Sequence, residues 1–174
     1  HAGLASYAGT NLAALNTPNR VLVTTTGRVF ISDSWNNRII EYMPDGRLLP
    51  FAGVDNFTIY QGSGDFFGDG GSAVTAGLNT PIGIAFYEAD GTMFIADSFN
   101  NRIRYVDSAG NIHTLIGADR GYSFGTLLNL PNDVALVGDD LFIADTGNAL
   151  VLKLTGVDRT GNDLSNSLDI GKAV

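Results

Sequence analysis

The stretch Met93-Phe94-Ile95-Ala96-Asp97-Ser98-Phe99-Asn100-Asn101-Arg102 occurs in three related versions along the chain. The other two versions read VFISDSWNNR at residues 29–38 and LFIADTGNAL at residues 141–150. Each version has a proline upstream of it, at Pro18, Pro81 or Pro131. A unit copied in tandem usually forms an array in which each copy buries its apolar face against the next copy. The repeat therefore decides the architecture.

The second copy predicts four short strands, at residues 82–87, 92–96, 102–106 and 111–116. Turn residues separate them, such as Asp90-Gly91 and Ser108-Ala109-Gly110. The first copy predicts the same four strands, at residues 21–26, 28–32, 38–43 and 47–52. Four antiparallel strands in a unit of about 40–50 residues are typical of a β-propeller blade. We therefore predict an all-β fold built of propeller blades.

The third copy predicts strands at residues 133–137, 141–144 and 149–154, followed by a polar tail without an obvious fourth strand. The N-terminal segment Leu4-Ala5-Ser6-Tyr7-Ala8-Gly9 resembles the ends of the other fourth strands. We therefore expect three four-stranded blades, with the last blade split between the two termini. The predicted organisation is an outer strand at 1–10, blade 1 at 18–54, a Gly-rich linker at 55–80, blade 2 at 81–118, blade 3 strands at 131–155 and a tail at 156–174.

The second copy resembles the NHL-repeat family of β-propellers. The resemblance rests on Pro81-Ile82-Gly83-Ile84-Ala85, on the run from Asp90 to Asp97, and on Asn100-Asn101-Arg102-Ile103-Arg104. The third copy departs from it at Ala149 and Leu150, where the other copies have Asn and Arg. Because the family's propellers usually have about six blades, the resemblance implies a partial propeller or half of a six-bladed ring. The expected partner is therefore a second copy of the chain, joined by strand exchange into a ring or filament, or the rest of a longer propeller chain.

The composition excludes several classes of function. A formal net charge of −8 argues against a nucleic-acid partner, because such binding depends largely on Lys and Arg neutralising phosphate. The chain has no cysteine, which excludes disulfides, thiolate metal sites and a cysteine nucleophile. No apolar run approaches the roughly 18 residues of a membrane span, so we expect no membrane insertion. The composition, poor in lysine, favours an extracellular, periplasmic or cell-surface location.

Three aspartates, Asp33, Asp97 and Asp145, follow the second strand of each copy. We interpret them as structural turn residues, because a carboxylate there can accept bonds from backbone N–H groups of the turn. A residue required in every blade is a feature of the fold and not a reaction centre. Arg38 and Arg102 are interpreted as residues that pack or form ion pairs beside these aspartates. The third copy has Leu150 at this position, so its turn would lack the contact that the arginine makes in the other two.

The Gly-rich linker carries Asp65 and Asp69, which are weak candidates for Ca²⁺ ligands. Their spacing is not that of an EF-hand loop, so the interpretation as a structural turn is favoured and no cofactor is expected. The enzymatic relatives implied by the resemblance are metal enzymes with several histidines, whereas this chain has only His1 and His113. We predict no catalytic residues, and a metal-dependent lyase or lactonase is the least favoured hypothesis.

Trp35-Asn36 and Phe99-Asn100 occupy equivalent turn positions and are the candidate partner-binding residues. We expect the linker carboxylates to lie on the same face as these aromatics. If the aromatic side chains are exposed, they suit a peptide, a glycan or a neighbouring subunit. The alternative is that they fold back over the blade edge. The first hypothesis is a non-enzymatic interaction scaffold, and the second is a lectin-like or peptide-binding sensor.

Overall fold

The computed structural model describes residues 15–54, 66–117, 128–157 and 171–173, and for the last three it describes the backbone. Within these ranges the chain forms twelve β-strands and four short 3₁₀ helices. The strands lie in three antiparallel sheets of four strands each, and each sheet is one blade. No helix in these ranges is long and apolar enough to cross a membrane. The predicted outer strand at residues 1–10 lies outside the described residues.

The first blade contains β1 to β4 in spatial order, as the repeat predicts. Its strands are β1 (Pro18–Val23), β2 (Val29–Asp33), β3 (Arg38–Tyr42) and β4 (Leu48–Ala52). The first strand begins three residues before the predicted position and ends earlier. The reason is a turn in which the Thr24 N–H donates to the Arg28 carbonyl oxygen at 2.9 Å, with Gly27 at φ +82°.

The second and third blades repeat this order. The second has β5 (Pro81–Tyr87), β6 (Thr92–Asp97), β7 (Arg102–Val106) and β8 (Ile112–Ile116). The third has β9 (Pro131–Val137), β10 (Asp140–Asp145), β11 (Leu150–Leu154) and β12 (Gly171–Ala173). Each first strand starts at the repeated proline, whose fixed φ suits the first residue of a strand.

The fourth strand of the third blade corrects the prediction of a blade split between the termini. Strand β12 pairs with β11 in antiparallel register, with Lys172 opposite Leu152. The polar tail therefore supplies the strand that the sequence pattern did not show. Three residues reading Gly-Lys-Ala are too few to show an alternating pattern, and the pairing of such a strand depends on backbone hydrogen bonds.

Two hydrophobic clusters lie between neighbouring blades. Between blades 1 and 2, Phe30 and Ile39 pack with Ile84, Met93 and Ile95, all fully buried. An equivalent cluster joins blades 2 and 3 and contains Phe94, Ile103, Val134, Leu141 and Ile143. Blade 2 thus packs one face on blade 1 and the other face on blade 3. This packing matches the expectation of an array in which neighbours share a core.

The C-terminal half of the Gly-rich linker belongs to the first of these clusters. Ala73, Ala76 and Leu78 are buried there; Ala73 begins a 3₁₀ helix at Ala73–Thr75, and the other two residues follow it. Gly68 has φ +91°, and a Cβ at this position would lie 2.9 Å from the Cα of Ala76. The described part of the linker is therefore a packed element of the interface between blades, and the glycine is needed for the close approach.

Candidate functional site

The three repeated phrases form three equivalent turns. Each second strand ends at an aspartate, and a 3₁₀ helix follows at Ser34–Asn36, Ser98–Asn100 or Thr146–Asn148. The residue after each helix, Asn37, Asn101 or Ala149, is left-handed, with φ between +53° and +55°. Asparagine tolerates this conformation, whereas alanine is strained in it. The turns place their side chains at one end of each blade.

The turn aspartates are buried and make the same two bonds in every copy. One carboxylate oxygen, Oδ1, accepts the backbone N–H of the residue two positions before the repeated proline, at 2.7 Å. The other oxygen, Oδ2, accepts the side-chain amide of the asparagine three residues later, at 2.8 Å. The residues that supply the N–H are Asn16, Asn79 and Asn129. Each aspartate therefore ties its turn to the start of its own blade.

This arrangement corrects the expected hydrogen-bond partners of the aspartates. None of Asp33, Asp97 and Asp145 makes a side-chain cap bond to the 3₁₀ helix that follows it. The partner N–H groups lie 16 to 18 positions upstream along the chain. Because the first strand runs antiparallel to the second, its start lies beside the end of the second strand, and the carboxylate reaches across this short gap.

The arginines are arranged differently in the two blades that have them. In the first blade, Arg38 Nε donates to Asp33 Oδ2 at 2.7 Å, and both side chains are buried. In the second blade, the guanidinium of Arg102 lies over the ring of Phe66, with Cζ 3.6 Å from the centroid. Arg104 approaches Asp97 Oδ2 with its Nη1 at 3.6 Å. Sequence reasoning did not select Arg104, because the first copy has Ile40 at that position.

The Asp97 carboxyl has a pKa raised from 3.8 to about 6. Burial is the main cause, because it removes water from the charged form. The N–H of Asn79, the amide of Asn100 and the charge of Arg104 oppose the shift. The carboxyl is enclosed at the end of the blade, so its titration concerns the stability of the fold.

A second set of bonds connects each of the first two turns to the next blade, and we call this set the Ser–Asn contact. Ser34 Oγ donates to the Pro81 carbonyl oxygen at 2.6 Å, and the Thr80 N–H donates to Asn37 Oδ1 at 2.8 Å. The next interface repeats the pair: Ser98 donates to the Pro131 carbonyl oxygen, and the Leu130 N–H donates to Asn101. Thr80 and Leu130 both have φ +50°. The asparagine of one blade therefore holds the left-handed residue that starts the next blade.

The third turn has other residues at these positions. Thr146 replaces the serine, Ala149 the asparagine and Leu150 the arginine. Gly147 stands where the other turns have Trp35 and Phe99, and a Cβ there would lie 2.5 Å from the carbonyl oxygen of Asn129. The close approach of the loop before β9 therefore excludes an aromatic side chain from this turn.

Trp35 and Phe99 are 48% and 50% exposed. Their backbone N–H groups donate to the carbonyl oxygens of Asn16 and Asn79 at 3.1 Å, which fixes both residues at the same end of their blades. Asn36 and Asn100 point their amide nitrogens at the turn aspartates and are half-buried. The structure thus brings the two aromatics to one end of the molecule, partly open to solvent. The side-chain amide nitrogens of Asn36 and Asn100 point inward, to the buried aspartates.

The linker carboxylate Asp69 does not join the aromatics. Its Oδ1 accepts Arg104 Nη2 at 2.7 Å, and the neighbouring Gly70 donates to the Ile112 carbonyl oxygen. Ile112 begins β8, at the end of the blade opposite the Phe99 turn. Asp65 lies outside the described residues. Among the residues that the structure describes, no group of three or more His, Asp or Glu side chains could hold a metal ion.

The Ser–Asn contact is a second feature of this site, beside Arg104, that sequence reasoning missed. The signal was present, because Ser34 and Asn37 recur as Ser98 and Asn101, and each is replaced in the third copy. A serine in a turn usually bonds its own backbone. Its partner in the next blade becomes visible only once the blades are packed.

Comparisons with known proteins agree with this architecture. Residues 61–129 match the family model of the Teneurin NHL domain. Over 94 residues the chain is 33% identical to the protein SUPPRESSOR OF QUENCHING 1, chloroplastic, of Arabidopsis thaliana. This alignment covers 53% of the chain and 8% of that protein.

Two solved structures show the same fold at low identity. A protein of unknown function from Bacteroides thetaiotaomicron superposes with a TM-score of 0.63 at 21% identity, covering 81% of this chain and 36% of that one. An auxiliary nutrient binding protein from Bacteroides ovatus gives 0.59 at 18% identity, covering 76% and 36%. This chain therefore spans about a third of the length of these structures. The match over residues 61–129 therefore supports an NHL-repeat family for this chain, and the two solved structures share its fold of tandem four-stranded blades.

Proposed function

We propose that the chain is a non-enzymatic interaction propeller that binds a protein partner through the end of the blades carrying Trp35 and Phe99. The observation that carries this proposal is a contrast within the first and second turns. In the first two turns, the Asp, the Ser and the second Asn of the repeated phrase bond other parts of the chain, whereas the aromatic side chain between them is half exposed. Half-exposed tryptophan and phenylalanine are residues that contribute strongly when they become buried in an interface.

Two leucines extend this apolar surface. Leu15, which is 39% exposed, adjoins Asn16, and the Asn16 carbonyl oxygen accepts the Trp35 N–H. Leu130, which is 43% exposed, bonds Asn101 beside the Phe99 turn. We call Leu15, Trp35, Phe99 and Leu130 the aromatic face. Aliphatic side chains beside aromatic ones favour an apolar peptide or protein surface over a sugar ring as the partner.

No observation on the described residues supports the enzymatic alternative. The buried aspartates are engaged with backbone N–H groups and asparagine amides, and Asp69 is paired with a buried arginine. A lyase or lactonase of this fold would need ligands for a divalent ion. Metal analysis of the purified protein, together with the effect of a chelator on stability, tests this alternative directly.

The proposal is tested by selecting ligands for the chain from a phage-displayed peptide library and measuring the selected peptide by calorimetry. The double variant Trp35→Ala/Phe99→Ala is expected to weaken binding by at least about a hundredfold, as loss of two central aromatic residues does. Tyr42→Ala is the matched control, because Tyr42 is 42% exposed at the other end of β3.

An equal loss in the Tyr42→Ala variant, or unchanged binding in the double variant, would contradict the assignment of this face. Screening the unaltered chain and the same variants on a glycan array tests the alternative of a lectin-like sensor. Glycan binding that depends on Trp35 and Phe99, without any selected peptide, would favour a lectin-like sensor.

A further inference from the structure

The first blade has an open face at the positions where blades 2 and 3 pack on their predecessors. In the register set by the repeated prolines, Val21 of β1 corresponds to Ile84 of β5 and Val134 of β9. Ile84 is 0% exposed and Val134 is 1% exposed, whereas Val21 is 60% exposed. The difference follows from position, because each of the two buried residues has a preceding blade against it.

The second strand of the first blade continues this face. Val29 and Ile31 are only half-buried, whereas Met93 and Ile95 at the same positions of blade 2 are fully buried. In blade 2 these residues pack on Phe30 and Ile39 of the blade before. We call Val21, Val29 and Ile31 the open face of blade 1. The two established interfaces show what covers such a face, namely the phenylalanine and isoleucine side of another blade.

The backbone at the start of the first blade has the same form as at the two established interfaces. Thr17 has φ +51°, matching Thr80 and Leu130, and each of the three precedes a proline. A threonine in this region is unfavourable, because its branched Cβ crowds the backbone. At both established interfaces the preceding blade holds this residue through an asparagine Oδ1 at 2.8 Å. No Asp-Ser-x-Asn-Asn phrase occurs in the sequence before Thr17.

From these observations we infer that the open face of blade 1 docks a further blade whose turn carries serine and asparagine at the positions of Ser34 and Asn37. The serine hydroxyl would donate to the Pro18 carbonyl oxygen, and the asparagine would accept the Thr17 N–H. The third blade of a second copy does not meet this requirement, because Ala149 has no acceptor oxygen at the asparagine position. Its fourth strand position is also filled by β12, which leaves no place there for a strand from a second copy.

The inference is tested with the whole 174-residue chain, by giving its third turn the residues of the other two. The double variant Thr146→Ser/Ala149→Asn is expected to associate head to tail about tenfold more tightly than the unaltered chain, because the asparagine adds one hydrogen bond and the serine gives the hydroxyl the position it has at both established interfaces. Sedimentation equilibrium measures this association. Adding Val21→Asp, at an exposed position, is the control and should remove the gain while circular dichroism confirms an unchanged fold.

Two results would overturn the inference. In the first, the double variant associates no more tightly than the unaltered chain. In the second, the unaltered chain already forms a dimer as tight as that of the double variant, and Val21→Asp dissociates it. That outcome would mean that the third blade of a second copy covers the open face.

Discussion

The first and third turns share the two hydrogen bonds that the aspartate accepts, but they differ at the residues that bond the next blade in the first turn. Asp33 and Asp145 both accept an upstream N–H at 2.7 Å and an asparagine amide at 2.8 Å. The first turn adds Ser34, Asn37 and Arg38, whereas the third has Thr146, Ala149 and Leu150. The comparison separates two tasks within one phrase: the aspartate and the first asparagine hold the blade together, and the serine and the second asparagine hold neighbouring blades together.

The largest expected effect on stability comes from replacing the aspartates of these two turns. Asp33→Ala should lower the free energy of unfolding by about 3–5 kcal/mol, because the buried Arg38 guanidinium loses its carboxylate. Asp145→Ala should cost about 1–3 kcal/mol, because it removes hydrogen bonds in a blade with leucine at the arginine position. Urea unfolding followed by circular dichroism measures both values. Equal losses would mean that Arg38 adds nothing to the first turn.

The second turn differs from the first in the distance between its arginine and its aspartate: Arg104 lies 3.6 Å from Asp97, whereas Arg38 lies 2.7 Å from Asp33. The pH dependence of the free energy of unfolding tests the state of the Asp97 carboxyl. The pKa of Asp97 is raised to about 6, so between 3.8 and that value the folded chain keeps a proton that the unfolded chain has lost. The contribution of Asp97 to stability is therefore greatest at low pH and declines as pH rises through this window. We expect the decline to be on the order of 1–3 kcal/mol.

The measurement is the difference in free energy of unfolding between the unaltered chain and Asp97→Asn, at about pH 4 and about pH 7. The variant cannot titrate at this position, so other groups cancel in the difference. The difference should shift in favour of Asp97→Asn at the higher pH. A difference that is constant with pH, or one that shifts the opposite way, would contradict the raised pKa.

The smallest effect concerns the left-handed residue of the third turn. Ala149 has φ +54°, so Ala149→Gly should raise the free energy of unfolding by about 0.5–1 kcal/mol by relieving the clash of its Cβ with the backbone. Ala144→Gly, within β10, is the matched control and should be destabilising by a similar amount. Thermal unfolding of the two variants distinguishes them by the sign of the change in Tm. A fall in both would show that the turn carries no such strain.

Much of the fold could be predicted because the repeat carries its own register. The first strands were predicted to begin one to three residues after the prolines at 18, 81 and 131, at which they begin in the structure, and the apolar triplets predicted the second strands. The exposure of Trp35 and Phe99 could not be predicted, because a turn aromatic can equally fold back onto the blade. The role of Arg104 also required the structure, since it depends on Asp69 in the linker and Asp97 in the strand lying on the same guanidinium.

The sequence by itself determined the class of fold, the number of complete phrases and the positions at which the third copy departs from the others. These follow from periodicity and turn chemistry, which are local properties of the chain. Only the tertiary structure decided where the fourth strand of the last blade comes from, and that Ser34 and Asn37 bond the next blade rather than their own turn. Both are contacts between residues far apart in the chain, and a hydrogen-bonding group gives no sign in the sequence of which distant backbone will satisfy it.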